Sequence, residues 1–158
     1  MAGKYYKSFE HLQKPDPEFS DPHVAKFISC IMHDGKRSTA QRIFYDALDL
    51  VRQRVPEREP LEVWKQAIDN VKPLVEVRSR RVGGANYQVP VEVNAKRQRT
   101  LAFRWILEVV RAKKGRPFHL SLAAEIVAAY NREGNAMLKR DNTHKQAEAN
   151  KAFAHFAW

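Results

Sequence analysis

A chain of 158 residues, 44% hydrophobic and 29% charged, is long enough for one domain with a real apolar core, and it excludes disorder except at the ends. The lone Cys30 rules out an internal disulfide and leaves no thiol partner for a metal, which fits a reducing compartment. The charged start, Met1 to Glu10, shows no secretory signal, and no uncharged run approaches the roughly 20 residues of a membrane helix.

The net charge of +10 is unevenly placed. Residues 1–71 carry 11 basic and 11 acidic side chains, and residues 117–158 carry five and four. Residues 72–116 carry twelve basic side chains against Glu76, Glu92 and Glu108, and so hold nine of the ten excess charges. A generic solvated surface mixes both signs. One-sided concentration predicts a polyanionic partner.

In chain order, residues 1–15 lack any helical or strand period and read as an arm ending at Pro15-Asp16-Pro17. Asp21-Pro22 is a helix start, with Asp as cap and Pro at the first helical position. Val24, Phe27, Ile28, Ile31 and Met32 then mark one buried face, and Gly35 is expected to stop the helix. A second helix places Ala40, Ile43, Phe44, Ala47, Leu48, Val51 and Val55 on one stripe. A third carries Leu61, Trp64, Ile68 and Val71 and ends at Pro73.

The period then falls to two. Val75 and Val77 alternate with Glu76 and Arg78, and Tyr87, Val89, Val91 and Val93 alternate with Gln88, Pro90 and Glu92. Gly83-Gly84 between them supplies a tight turn, so residues 74–93 read as a β-hairpin. Pro90 is tolerable only in a strand with a free edge. Helix returns from Val93 to Lys113, with Leu101, Ala102, Trp105, Ile106, Val109 and Val110 as its core face. A fifth helix shows Leu122, Ala123, Ile126, Val127 and Tyr130. After Gly134 a last helix is expected, with Ala149, Ala152, Phe153 and Phe156 as its apolar set. The fold class is mainly α: a single six-helix domain, 16–158, with one protruding two-stranded hairpin.

The chemistry follows the charge. Arg78, Arg80 and Arg81 lie beside the hairpin turn, and guanidinium is a planar fork of donors that matches phosphate oxygens. A narrow ribbon can enter a groove or a gap between RNA strands. Tyr87 suits either stacking on an unpaired base or a place in the core. Lys96, Arg97 and Arg99 open the fourth helix and, with Arg104, Arg111, Lys113, Lys114 and Arg116, make a long basic surface whose phosphate contacts would set affinity and orientation. Asp34-Gly35-Lys36-Arg37 is not a nucleotide loop, because Cys30 stands where such a loop needs glycine and Arg37 where it needs Ser or Thr. Lys36 and Arg37 fit phosphate contact from a helix–helix loop. His144 and Glu148 have a helical spacing open to a metal, but no further ligand cluster joins Asp141 and His155, and an ordinary intrahelical pair fits better. No nucleophile–base or paired-carboxylate constellation stands out, so neither an enzyme nor a cofactor or metal site is expected.

Three stretches carry a resemblance. They are Phe27 to Thr39, reading FISCIMHDGKRST; Val71-Lys72-Pro73 through Val75–Gly84 to Tyr87–Val93; and Ala147 to His155. With their spacing, they resemble the small-subunit ribosomal protein seven family of bacterial-type ribosomes over nearly the whole chain. That resemblance implies a six-helix domain with an extended hairpin. It implies early binding to the 3′ major domain of small-subunit rRNA and nucleation of the subunit head, in the cytoplasm, with neighbouring ribosomal proteins against the folded body. It also puts the hairpin and last helix near the exit-site tRNA and the mRNA path. The rRNA-facing positions it implies are Lys36, Arg37, Arg78, Arg80, Arg81, Lys96, Arg97, Arg99, Arg104 and Arg111. The positions near tRNA and mRNA are Val82, Gly83, Gly84 and Tyr87 of the hairpin, and Lys139, Arg140, His144, Asn150 and Lys151.

Two departures accompany it. Family members usually open with a strongly basic arm, whereas this one has three lysines, Glu10, Tyr5 and Tyr6 before Pro15, which suits stacking more than charge. Where the family tends to end in Tyr-Arg-Trp, this chain has Phe156-Ala157-Trp158. Without the resemblance, the rival reading is a β-arm DNA-architectural protein. That class usually carries an apolar or proline wedge at the arm tip, and Val82-Gly83-Gly84-Ala85 is not one.

Overall fold

The computed structural model describes residues 14–156. Most of the expected arm, residues 1–13, lies outside the described residues, as do Ala157 and Trp158. The chain divides into two compact units, Met1–Arg42 and Ile43–Trp158.

In the first unit a tight turn over residues 17–19 is closed by the Ser20 N–H, which donates to the Asp16 carbonyl at 2.8 Å. Asp16 is buried, and its carboxylate accepts from the backbone N–H groups of Glu18 and Phe19, both at 3.2 Å. Asp21 caps α1 (Pro22–Ile31) by accepting from the His23 N–H at 2.7 Å, with Pro22 in the first turn. Val24, Ala25, Phe27, Ile28 and Ile31 are buried. The helix stops at Ile31, before Gly35 is reached, because Met32 already has extended backbone. Asp34 and Gly35 then take positive φ (51° and 71°) to turn the chain into α2 (Arg37–Arg54), whose first residues close this unit.

In the second unit, α2 buries Phe44, Ala47, Leu48 and Val51, while Ile43 and Val55 are half-buried. Pro60 opens α3 (Pro60–Val71), which buries Val63, Trp64, Ala67, Ile68 and Val71. Phe44 meets Trp64 edge-on at 5.7 Å, and Trp64 meets Phe103 at 6.0 Å, so an aromatic row ties α2 and α3 to α4 (Ala95–Ala112). Asn94, rather than Val93, starts α4, its side chain accepting from the Arg97 N–H at 2.9 Å. This helix packs against α3, α5 (Phe118–Tyr130) and α6 (Asn135–Ala149), so its buried arc is wider than one stripe. It takes in Phe103 and Leu107, and Trp105, expected in the core, is only half-buried.

The α5 helix is apolar almost all round and packs mainly on α3 and α4, as a central helix should. Its one buried carboxylate, Glu125, accepts from Lys113 Nζ at 2.7 Å and from the Ala136 N–H at 3.0 Å, joining the end of α4 and the start of α6 to the middle of α5. The expected apolar stripe near the C-terminus is not helical packing. The α6 helix ends at Ala149, and Lys151–Phe156 forms a 3-10 turn with Phe153 and Phe156 half-buried and Ala152 exposed. The molecule is mainly helical with one antiparallel hairpin, as the sequence predicts.

Candidate nucleic-acid interface

The hairpin is β1 (Val75–Val82) paired with β2 (Ala85–Glu92). Gly83 and Gly84 both have positive φ (58° and 90°) and form the two-residue turn, which fixes Val82 opposite Ala85. From there the register runs Arg80 to Tyr87, Arg78 to Val89 and Glu76 to Val91. Paired residues share a face. Tyr87, Val89 and Val91 therefore lie with Glu76, Arg78 and Arg80, while Val75 and Val77 face the other way. The valines of the two strands do not form one apolar face.

Glu76 is instead among the buried residues of the ribbon, along with Val89. One of its carboxylate oxygens takes Arg78 side-on, with Nε at 2.6 Å and Nη2 alongside. The other takes Arg97 side-on, Nε at 3.3 Å and Nη2 at 3.2 Å. A single carboxylate thus joins the first strand to the first turn of α4 and orients two of the expected phosphate ligands. Glu76 was legible in the sequence only as a polar residue in an alternating strand.

The remaining cations of this unit sort by environment. Arg81, Lys96, Arg104, Arg111, Lys114 and Arg116 are exposed, and Arg80 and Arg99 are half-buried. Arg104 and Arg111 lie seven residues apart on α4, and so on one face, two turns apart. Lys113 is exposed, but its ammonium is committed to Glu125.

The group expected near tRNA and mRNA is largely engaged within the chain. Lys139 pairs with Glu108 at 2.6 Å. Arg140 donates to the Asn70 carbonyl at 2.6 Å and pairs with Asp141 at 2.6 Å. His144 does not pair with Glu148. Its Nε2 accepts from the Leu74 N–H at 3.1 Å and so ties α6 to the foot of the hairpin. Asn150 ends α6 and donates to the Gln146 carbonyl at 2.7 Å. Lys151 is exposed. At the far end of the ribbon the Tyr87 ring packs on Phe153 at 5.2 Å and Phe156 at 5.1 Å. Reading those two phenylalanines as a helical stripe hid this contact. Val82 is half-buried, and Gly83 and Gly84 are exposed at the tip.

Lys36 and Arg37 belong to the first unit. Lys36 is exposed in the turn. Arg37 donates through Nη1 to Ser29 Oγ at 3.1 Å and helps line an open cleft with Lys14, Lys26 and Gln41.

These features define a mainly helical protein with a cation-bearing two-stranded arm. The family described as Ribosomal protein S7p/S5e matches residues 4–151, and the chain belongs to it. It is 56% identical over 144 residues to the small ribosomal subunit protein uS7 of Thermotoga petrophila, covering 91% of this chain and 92% of that one. To the protein of that name from Rhodopirellula baltica it is 57% identical, covering 90% and 92%. To that from Desulfotalea psychrophila it is 52% identical, covering 91% and 92%.

Proposed function

We propose that this chain is a structural constituent of the small ribosomal subunit, without enzymatic activity, which binds the 3′ major domain of small-subunit rRNA and nucleates assembly of the subunit head. The observation that carries the reading is the concentration of cations on one ribbon and one adjoining helix, in a chain of this family. In this reading Arg78, Arg80 and Arg81 of the hairpin and Lys96, Arg97, Arg99, Arg104 and Arg111 of α4 take rRNA phosphates. Lys114 and Arg116 extend the same surface, and in the first unit Lys36 and Arg37 take phosphate on their own account. Lys113 contributes less, because its ammonium already has a buried partner. The tip, Val82 to Gly84, and Lys151 lie near the exit-site tRNA and mRNA, and other small-subunit proteins contact the helical body. The protein works in the cytoplasm, within the ribosome.

Phosphate contacts of this kind set affinity and register, and the folded shape of the RNA supplies selectivity. The test is affinity for a transcript of the 3′ major domain against an unrelated folded RNA of equal length and a DNA duplex, at low and high salt. The expected result is a preference for the rRNA transcript that survives high salt. Equal affinities that all collapse with salt would reduce the interaction to counterion release. A preference for the duplex would favour a DNA-architectural arm.

A further inference from the structure

We propose that Glu76 is a positioning residue for RNA binding: its buried carboxylate presets Arg78 and Arg97 as one phosphate-binding pair at the corner between hairpin and α4. The inference rests on the RNA-binding reading above and names a residue of opposite charge as part of that site.

The side chain of Glu76 is 9% exposed, while those of Arg78 and Arg97 are 51% and 38% exposed. One guanidinium would neutralise the carboxylate. The second leaves the cluster with a net positive charge and holds two like charges close together. Both are gripped the same way, through Nε and Nη2, one on each carboxylate oxygen. Arginine has five N–H donors in a rigid plane. Side-on capture uses two of them and leaves the end-on edge, both hydrogens of Nη1 and one of Nη2, for another acceptor. The plane of each fork is fixed before any ligand arrives. The conformational freedom that a long side chain normally loses on binding is therefore lost on folding instead. The two arginines come from different elements, and their guanidinium groups meet on the Glu76 carboxylate. Arg80, on the same face of β1, and Lys96, beside Arg97, add positive charge near the pair. An anion with several oxygens, such as an RNA phosphate, matches two end-on guanidinium edges.

The proposal predicts an effect of opposite sign to simple electrostatics. Glu76→Gln removes a negative charge from a surface that binds a polyanion, so charge alone predicts tighter binding. Positioning predicts weaker binding, by about tenfold, through loss of preset geometry at two charge-assisted contacts. The experiment measures binding of the full chain to the 3′ major domain transcript across a salt series, for wild type, Glu76→Gln, Arg78→Ala/Arg97→Ala and the triple variant. The expected result is weakening by Glu76→Gln and a shallower salt dependence, with no further weakening when both arginines are already absent. Binding by Glu76→Gln equal to or tighter than wild type would overturn the proposal. Weakening that persists in the doubly substituted background would overturn it too, since it would mean that Glu76 only holds the hairpin's fold. Failure of wild type to prefer the transcript would instead sink the RNA-binding reading, independently of how Glu76→Gln behaves.

Discussion

Replacing Glu125 tests how the helical body is held together. The N-cap of α6 is Gly134, which has no side chain to accept from the first turn of its helix. Glu125 of α5 does so from outside, taking the Ala136 N–H at 3.0 Å while its other oxygen holds Lys113 at 2.7 Å. Ala136 is fully buried, so Glu125→Ala leaves its N–H without water or acceptor, at about 1–3 kcal/mol. Lys113 is 37% exposed and can rehydrate, so the lost ion pair adds only about 0.5–1 kcal/mol. Removal of the packed side-chain atoms adds about 1 kcal/mol. The whole substitution is expected to cost about 3 kcal/mol, or roughly 6–12 °C in Tm for a chain of this length. Glu125→Gln keeps a neutral acceptor for Ala136 and should cost about 1 kcal/mol. Urea denaturation followed by far-UV circular dichroism gives both numbers, provided the m value is unchanged. Alanine and glutamine variants of equal stability would show that the shared cap contributes nothing and would refute the reasoning.

Two further outcomes follow from local geometry. Gly134 has φ of 93°, and a Cβ there would lie 3.0 Å from both Ala128 Cβ and Glu125 Oε1; Gly134→Ala should therefore cost about 2 kcal/mol, and less in a Glu125→Ala background, where one obstacle is gone. A double-mutant cycle by denaturation measures this, and full additivity would mean that the two sites do not meet. Phe153→Ala removes one of two rings on Tyr87 and should cost no more than about 1 kcal/mol globally while speeding amide exchange in β2; unchanged exchange at Tyr87 and Val89, whose N–H groups face β1, would show that the aromatic contact does not hold the ribbon.

The helices were legible because their signals are local. Asp21-Pro22, Pro73 and the 3.6-residue spacing of apolar side chains each act within a few residues. What the sequence concealed depends on which elements meet. The α4 helix is covered by three neighbours, so Phe103 and Leu107 are buried off the expected stripe and Trp105 is not. Phe153 and Phe156 have helical spacing but serve a contact with Tyr87, more than sixty residues earlier in the chain. Glu76 and Glu125 read as ordinary polar residues and His144 as one half of an intrahelical pair, and only their distant partners show what they hold. The hairpin's register was legible too: a two-residue turn at Gly83-Gly84 dictates that Val77 pairs with Pro90, and Arg78 with Val89, so the two strands' valines fall on opposite faces.

That register has a consequence for how the ribbon meets a partner. Two strands alone are marginally stable in water, and three arginines within four residues of β1 repel one another. The hairpin is anchored near its base through Glu76 and Arg97, and nearer its tip through Tyr87 and the two phenylalanines. Both anchors lie on the same face, since Glu76, Arg78 and Arg80 pair with Val91, Val89 and Tyr87. The opposite face towards the tip consists of Ser79, Arg81, Asn86 and Gln88, all exposed and all able to hydrogen-bond. A ribbon fastened on one face offers the other without bending or melting. Under the proposed function, this face therefore adds Ser79, Asn86 and Gln88 to the contacts that Arg80, Arg81 and the tip make in the outer half of the hairpin. The Tyr87 ring, packed on Phe153 and Phe156, is the outer of the two anchors that hold the ribbon in place.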